Sequence, residues 1–260
     1  MPHPRFVRTE LMVGPEGLER LRNALVAVAG CGAVGSYAIE ALARAGVGRL
    51  RIVDFDVVQE SNINRQILAL TSTLGEPKVE VARRRVEDIN PDCVVEPVCA
   101  YVAQDTMDEV LAGPPDLVLD AIDTVTPKTL LLASAVNDAI PICSSMGAAL
   151  RTDPSRIRIG LISETSGCPL ARAVRAGLRK RGVTADIPCV FSTEPANKRF
   201  LGAYEPIAGG DRGRRRALAS LPTLTGIFGL TLANLALQML LGDLFPSSSS
   251  GSRWAPQPET

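Results

Sequence analysis

The chain has 260 residues, of which 46% are apolar, and its 28 basic side chains are matched by 28 acidic ones. That is enough apolar material for one large or two small domains, and a formal net charge of zero supplies no global field to gather nucleic acid, so any contact with RNA has to come from local patches. Six cysteines (Cys31, Cys93, Cys99, Cys143, Cys168 and Cys189) are too sparse for a disulfide framework, and none form a C-x-x-C pair, which argues against a four-cysteine zinc site and for reduced thiols in a cytoplasm. No charged-then-apolar leader opens the sequence.

Residues 1–4 are expected to be disordered, and residues 15–23 read as a helix with Pro15 at an early position. Residues 25–29, LVAVA, are too short for a globular helix and rich enough in Val for a buried strand. Gly30, Gly32 and Gly35 follow in G-x-G-x-x-G spacing, then an amphipathic helix over residues 33–45 and a second strand over 49–53 that ends at Asp54. The first glycine permits the tight turn, the second lets phosphate approach the backbone, and the third lets the helix pack on the strand. Phosphate oxygens then meet free N–H groups at a positive helix end, and Asp54 is placed to accept hydrogen bonds from ribose hydroxyls, with Asp56 a lesser candidate beside it.

That spacing is shared with NAD and FAD proteins, so the glycines alone specify only a nucleotide. The stretch beyond Asp54 narrows it. Asn62, Asn64, Arg65 and Gln66 fall just past the carboxyl end of the strand, the edge at which open sheets bind ligands. Hydride transfer has little use for a fixed guanidinium there, whereas a triphosphate does; Lys78 adds a second cation. The single histidine, His3, lies in the expected disordered end, so the usual proton relay of a dehydrogenase is missing.

Residues 61–69 read as a short helix or turn with Ser61 as its cap, and residues 78–90 as a helix stopped by Pro91, with Arg83, Arg84 and Arg85 as a solvated face. Strands are expected at 93–98 and 116–120, with a helix at 104–112 between them. Asp123 falls in the loop beyond the second of these, at the same edge as Gly32 and Arg65, where a carboxylate facing a triphosphate suits Mg²⁺; Asp120 is the alternative, or caps the turn. A helix over 126–138 and a strand over 140–143 follow. From residue 147 the pattern changes to an alternating, half-exposed antiparallel strand at 156–162 and a basic helix at 170–181. That helix, with Lys198, Arg199 and the run 212–216, is the densest basic cluster, either a solvated surface or a phosphate-contacting face. Cys189 lies in a short strand, where a cysteine is most often a small buried hydrophobe. Residues 221–242 carry no charge and are just long enough to span a bilayer, but Thr223, Thr225, Asn234 and Gln238 interrupt them, so a buried helix is expected, not stable membrane insertion. Residues 246–260 read as a disordered tail.

Taken together, G-C-G-A-V-G-S, D-F-D-V-V-x-x-S-N-I-N-R-Q, G-E-P-K and L-D-A-I-D-T resemble the ThiF/MoeB/ubiquitin-activating superfamily, ATP-using enzymes that adenylate a carboxylate; the match runs from about residue 5 to 149. Within it, R-F-x-R-T, I-N-P-D-C, A-I-D-T-V-x-P-K and C-V-F-S-T-E are similar to the tRNA threonylcarbamoyladenosine dehydratases. The resemblance implies an α/β, Rossmann-like ThiF/MoeB-type fold over residues 1–245, with a mainly parallel sheet continued by antiparallel strands and helices on both faces. It also implies ATP held by Gly30, Gly32, Gly35, Asp54 and Asp56, phosphate charge met by Asn62, Arg65 and Lys78, and Mg²⁺ on Asp123. Arg8 matches an R-[FY]-x-R pattern in which an arginine reaches the ATP site of the partner subunit of a homodimer, or is a surface charge, and Cys189 matches a cysteine implicated in the reaction. The implied partners are a tRNA bearing threonylcarbamoyladenosine and a cysteine desulfurase or sulfur acceptor. The absent C-x-x-C pairs separate the chain from adenylyltransferases that activate the C-terminal glycine of ubiquitin-like sulfur carriers, which remain the alternative, beside a non-catalytic nucleotide sensor.

Overall fold

A computed structural model describes residues 4–206 and 214–246. The chain enters through helix α1 (Val7–Asn23), interrupted at Gly14, whose backbone (φ 75°, ψ 169°) lets Pro15 open a second helical segment. Strand β1 (Leu25–Ala29), helix α2 (Gly35–Ala45) and strand β2 (Arg49–Val53) follow, then α3 (Lys78–Ile89), β3 (Val94–Val98), the single turn α4 (Met107–Val110) and β4 (Leu117–Asp120). The second half contains α5 (Val125–Asn137), β5 (Ile142–Ser145), β6 (Ile157–Leu161), α6 (Pro169–Lys180), β7 (Pro188–Ser192), a hairpin of β8 (Leu201–Pro206) and β9 (Arg214–Leu218), and α7 (Pro222–Leu241).

Seven strands form one sheet in the order β3-β2-β1-β4-β5-β7-β6. From β1 the chain moves outward through β2 to β3, then returns to lay β4 on the other side of β1 and continues to β5. The reversal leaves a crevice between the loops that follow β1 and β4, the place where open α/β sheets bind ligands. Strand residues alternate between two cores. Val26 and Val28 face α1, α2, α3 and α7 on one side; Ala27 and Ala29 face α4, α5 and α6 on the other.

The sheet is mainly parallel, continued by an antiparallel strand and flanked by helices on both faces, as expected; the details of its second half are particular. β6 alone is antiparallel within it; β7 joins parallel to β5, and the β8–β9 hairpin forms a separate two-stranded sheet. β5 begins two residues later than the apolar run, because Pro141 has no N–H to give a ladder. The helix expected at 104–112 shrinks to one turn: Arg51, buried, takes the carbonyls of Val110 and Ala112, and Gly113 at φ 51° turns the chain away. Ser61 does not cap the 60–62 turn; the Asn62 side chain closes it by accepting the N–H of Gln59. Pro4 already belongs to a 3₁₀ turn, and the expected disorder at residues 1–3 and 247–260 lies outside the described residues.

α7 meets the test of length and apolarity for a membrane span, but it is built into the fold. Leu224, Phe228, Leu232, Leu235 and Ala236 are buried in the core on the α2 side of the sheet. Gly229 makes the crossing close: a Cβ there would stand 2.4 Å from the Val34 carbonyl oxygen.

Candidate active site

The loop after β1 is shaped by its glycines and pinned by β2. Gly30 donates to the Val53 carbonyl at 2.8 Å and adopts φ 97°, a conformation that side chains rarely allow. A Cβ on Gly35 would fall 1.7 Å from the Gly30 oxygen, so only glycine lets α2 start so close to the turn. A Cβ on Gly32 would meet nothing within 4 Å, which leaves that face of the loop open to a ligand. Asp54 faces inward. Its Oδ2 accepts the Cys31 N–H at 2.6 Å and its Oδ1 the Asp56 N–H at 2.8 Å. Burial raises the Asp54 carboxyl above its ordinary value, against the pull of Lys78 and of the two N–H donors. The expected ribose acceptor is thus also the clamp that holds the glycine loop.

Lys78 opens α3, 5% exposed at its side chain, and its Nζ lies 2.9 Å from Oδ2 of Asp56. The pair sets a buried cation beside Asp54 and the glycine loop. Arg65 lies on the loop after the 60–62 turn and curls onto it, donating to the Ser61 carbonyl and to Oδ1 of Asn64, both at 2.8 Å. Asn62 is buried and its amide oxygen is occupied in closing its own turn.

Across the crevice, Asp123 is exposed on the loop after β4. Asp120 is not accessible: it is fully buried, 2.6 Å from Nζ of Lys128, and accepts hydrogen bonds from the Ser144 hydroxyl at 2.6 Å and the Ile122 N–H at 3.1 Å. Of the two carboxylates, Asp123 alone is open to solvent. No cluster of three or more His, Cys, Asp or Glu suited to a metal occurs among the described residues. One exposed carboxylate fits a Mg²⁺ held mainly by phosphate and water, and does not fit an all-protein cage. Lys128 was visible in the sequence only as the last letter of A-I-D-T-V-x-P-K and carried no expectation of its own.

The remaining candidates lie elsewhere. Cys189 sits in β7 opposite Ser144, fully buried, and its thiol is pushed up to about 12 by burial, so it stands as a neutral thiol. Arg8 is exposed on the first turn of α1, a helix that packs on α7. On α6, Arg172, Arg179 and Lys180 are exposed, as are Arg181 just past its end, Lys198 and Arg199; Arg175 instead turns inward to the carbonyls of Ile162 and Thr165. Of the run 212–216, residues 212 and 213 lie outside the described residues. Arg83, Arg84 and Arg85 are paired with Glu80 and Glu87, Glu76, and Glu40 respectively. The chain beyond β5 is tied to the chain beyond β7. Arg151, buried, donates to the carbonyls of Gly147 and Glu194, and the Glu194 carboxylate accepts the N–H groups of Thr152 and Asp153.

A doubly wound sheet, a glycine loop at its switch point, a buried lysine beside that loop and an exposed carboxylate on the loop after β4 define a nucleotide-binding α/β protein. A tRNA threonylcarbamoyladenosine dehydratase of Bacillus subtilis is 46% identical over 190 residues, 73% of this chain and 75% of that protein. The solved Escherichia coli tRNA N6-threonylcarbamoyladenosine dehydratase in complex with ATP superimposes with a TM-score of 0.81 at 33% identity, covering 91% of this chain and 93% of that one; a complex with AMP matches equally well. A molybdopterin-synthase adenylyltransferase of Salmonella typhimurium is 43% identical, but over 138 residues, 53% of this chain and 54% of that protein. The ThiF family model matches residues 6–256, and the chain belongs to the ThiF family.

Proposed function

We propose that the chain is an ATP-dependent tRNA threonylcarbamoyladenosine dehydratase. The observation that carries the reading is the extent of the match. In sequence, likeness to the Salmonella adenylyltransferase covers 53% of the chain, whereas likeness to the E. coli dehydratase runs through 91% of it at 34% identity. The absence of C-x-x-C pairs points the same way.

The free carboxylate of the threonyl group attacks the α-phosphate of ATP, giving an acyl-adenylate and pyrophosphate. The ureido group closes on the activated carbonyl and expels AMP, which carries away the oxygen formally lost as water. Adenylation is needed because carboxylate oxygen is a poor leaving group and AMP a good one. The 30–35 loop receives the phosphates at the start of α2. Lys78, held by Asp56, and Arg65, once it leaves Ser61 and Asn64, meet the phosphate charge that develops at attack. Asn62 supports this by holding the Arg65 loop in its turn. Asp123 would hold Mg²⁺, which supplies charge neutralisation at the phosphates. Cys189, neutral and fully enclosed in β7, is read as packing beneath the site and not as its nucleophile.

The enzyme is further proposed to act in the cytoplasm as a homodimer, residues 1–245 forming one adenylation domain and Arg8 reaching the partner's ATP site. The exposed arginines of α6 would contact tRNA phosphates, which position the substrate without specifying it. A sulfur acceptor remains a proposed partner only by resemblance.

The test is nucleoside mass analysis after incubation with ATP, Mg²⁺ and tRNA carrying threonylcarbamoyladenosine. An ATP-dependent loss of one water from that nucleoside is expected, and Arg65→Ala and Lys78→Ala should abolish it while the protein stays folded. No loss of water, with pyrophosphate exchange into ATP on a carrier peptide ending in Gly-Gly, would replace this reading with the sulfur-carrier one.

A further inference from the structure

We infer that Lys128 is a positioning residue for Asp123, acting through the Ile122 peptide; the inference rests on the proposed reading of Asp123 as the metal-binding carboxylate. Lys128 lies on the first turns of α5 with its side chain fully enclosed. Its Nζ is 2.6 Å from the Asp120 carboxylate and donates to the Ile122 carbonyl at 2.9 Å. Asp120 in turn accepts the Ile122 N–H at 3.1 Å. One residue is therefore gripped at both ends, its N–H by the carboxylate and its C=O by the ammonium. Two successive peptide planes, 121–122 and 122–123, are fixed, and with them the direction in which the chain delivers Asp123.

The same ribbon is registered against the glycine loop. The Ala121 N–H donates to the Ala29 carbonyl at 2.8 Å, and the Ala121 backbone lies so near Gly30 that a Cβ there would approach it at 3.0 Å. The Ser144 hydroxyl, from β5, donates to Oδ2 of Asp120, the oxygen that Lys128 also approaches, while Oδ1 takes the Ile122 N–H. The 120–122 ribbon, gripped by the pair, thus lies against the glycine loop through Ala121. A buried lysine–aspartate pair adds little stability over an apolar pair of similar volume, since desolvation cancels most of its attraction. What it supplies in this place is orientation. Groups that orient metal-binding side chains commonly set metal affinity by one or two orders of magnitude.

The experiment titrates Mg²⁺ while following binding of a fluorescent ATP analogue to the full chain, in wild type, Asp123→Ala, Lys128→Met and the double variant Asp120→Asn with Lys128→Met. Lys128→Met should raise the Mg²⁺ concentration at half-saturation by about 10- to 100-fold, while analogue binding in chelator stays within about twofold of wild type. Lys128→Met leaves Asp120 charged, buried and alone, which threatens folding. The double variant removes both charges and keeps the question answerable. It should fold and still show the raised Mg²⁺ requirement, because nothing then holds the Ile122 carbonyl. A wild-type Mg²⁺ midpoint in the folded double variant overturns the role of Lys128 and leaves Asp123 untouched. A wild-type midpoint in Asp123→Ala overturns the metal reading itself, and the inference falls with it.

Discussion

The Cys31 N–H donates to Oδ2 of Asp54 at 2.6 Å, and the other oxygen of that carboxylate accepts the Asp56 N–H at 2.8 Å. One side chain at the end of β2 therefore fixes both the glycine loop and the segment that carries Asp56 to Lys78. The nucleotide loop and its cation share a single pin.

That pin is sensitive to pH. Burial raises the Asp54 carboxyl above its ordinary 3.8, so protonation sets in at a higher pH than for an exposed aspartate. Its stability contribution is present below the ordinary value and lost as pH rises through the folded one, so at neutral pH the ionised group is tolerated by the fold and not a source of stability. Nucleotide binding has the opposite sign, because the ionised form accepts both N–H groups. ATP affinity should fall as pH drops from neutral, starting above 3.8, and Asp54→Ala should bind weakly with a flat profile. Fluorescence titrations at several pH values test this; an unchanged affinity in Asp54→Ala would refute the clamp.

Gly32 and Gly35 should separate binding from folding. A Cβ at Gly32 meets nothing within 4 Å, so Gly32→Ala should keep its stability within about 0.5 kcal/mol. It should nevertheless lose ATP affinity, since the methyl occupies the open face where phosphate approaches. Gly35→Ala drives a Cβ to 1.7 Å from the Gly30 oxygen and should lose both. Thermal unfolding with and without ATP distinguishes them, because a ligand at free concentration L that binds the folded chain stabilises it by RT ln(1 + L/Kd), a gain that shrinks as affinity is lost.

β1 was legible to the residue because its short Val-rich run ends at a glycine spacing that serves one turn, and β2 because its short run follows the helix and stops at Asp54. The places of Asp54 and Asp123 just past strand ends were legible, and so was Lys78 at the start of a helix, since they follow from where the apolar runs stop. Lys128 was not, because a lysine in a helical pattern reads as solvated and nothing in the spacing says that its ammonium turns inward to Asp120. The direction of β7 was equally hidden: alternation reports which face a residue takes, not which way the neighbouring strand runs. The β8–β9 hairpin was masked by its own arginines, which drew attention as charge and not as strand.

α7 belongs to the core, and one position measures it. A Cβ on Gly229 would stand 2.4 Å from the Val34 oxygen and 2.7 Å from the Tyr37 Cβ. Gly229→Ala should therefore cost about 1–3 kcal/mol in urea unfolding, the usual range for overpacking. Because Val34 immediately precedes Gly35, ATP binding should weaken with it. The wild-type chain should stay in the aqueous layer of a detergent phase separation; recovery in the detergent layer would contradict the burial of Leu224, Phe228 and Leu232.

Glu40 predicts the acid limb of stability. It lies on α2 with its side chain 11% exposed and meets Arg44 at 2.7 Å and, across to α3, Arg85 at 2.5 Å. Burial alone would raise its carboxyl, but hydrogen bonds from Arg85 and Arg44 outweigh it and hold the group below its ordinary 4.5. A lowered value in the folded state means stability that is present above 4.5 and lost as pH falls through the folded value. Glu40→Gln should therefore cost about 1 kcal/mol at neutral pH, a figure kept small because Arg44 is 61% exposed and screened by solvent. The cost should vanish in acid, where the wild type has itself become neutral at this position. Urea midpoints at neutral and acid pH test the sign: a penalty that grows toward acid would mean that burial, not the two arginines, governs Glu40.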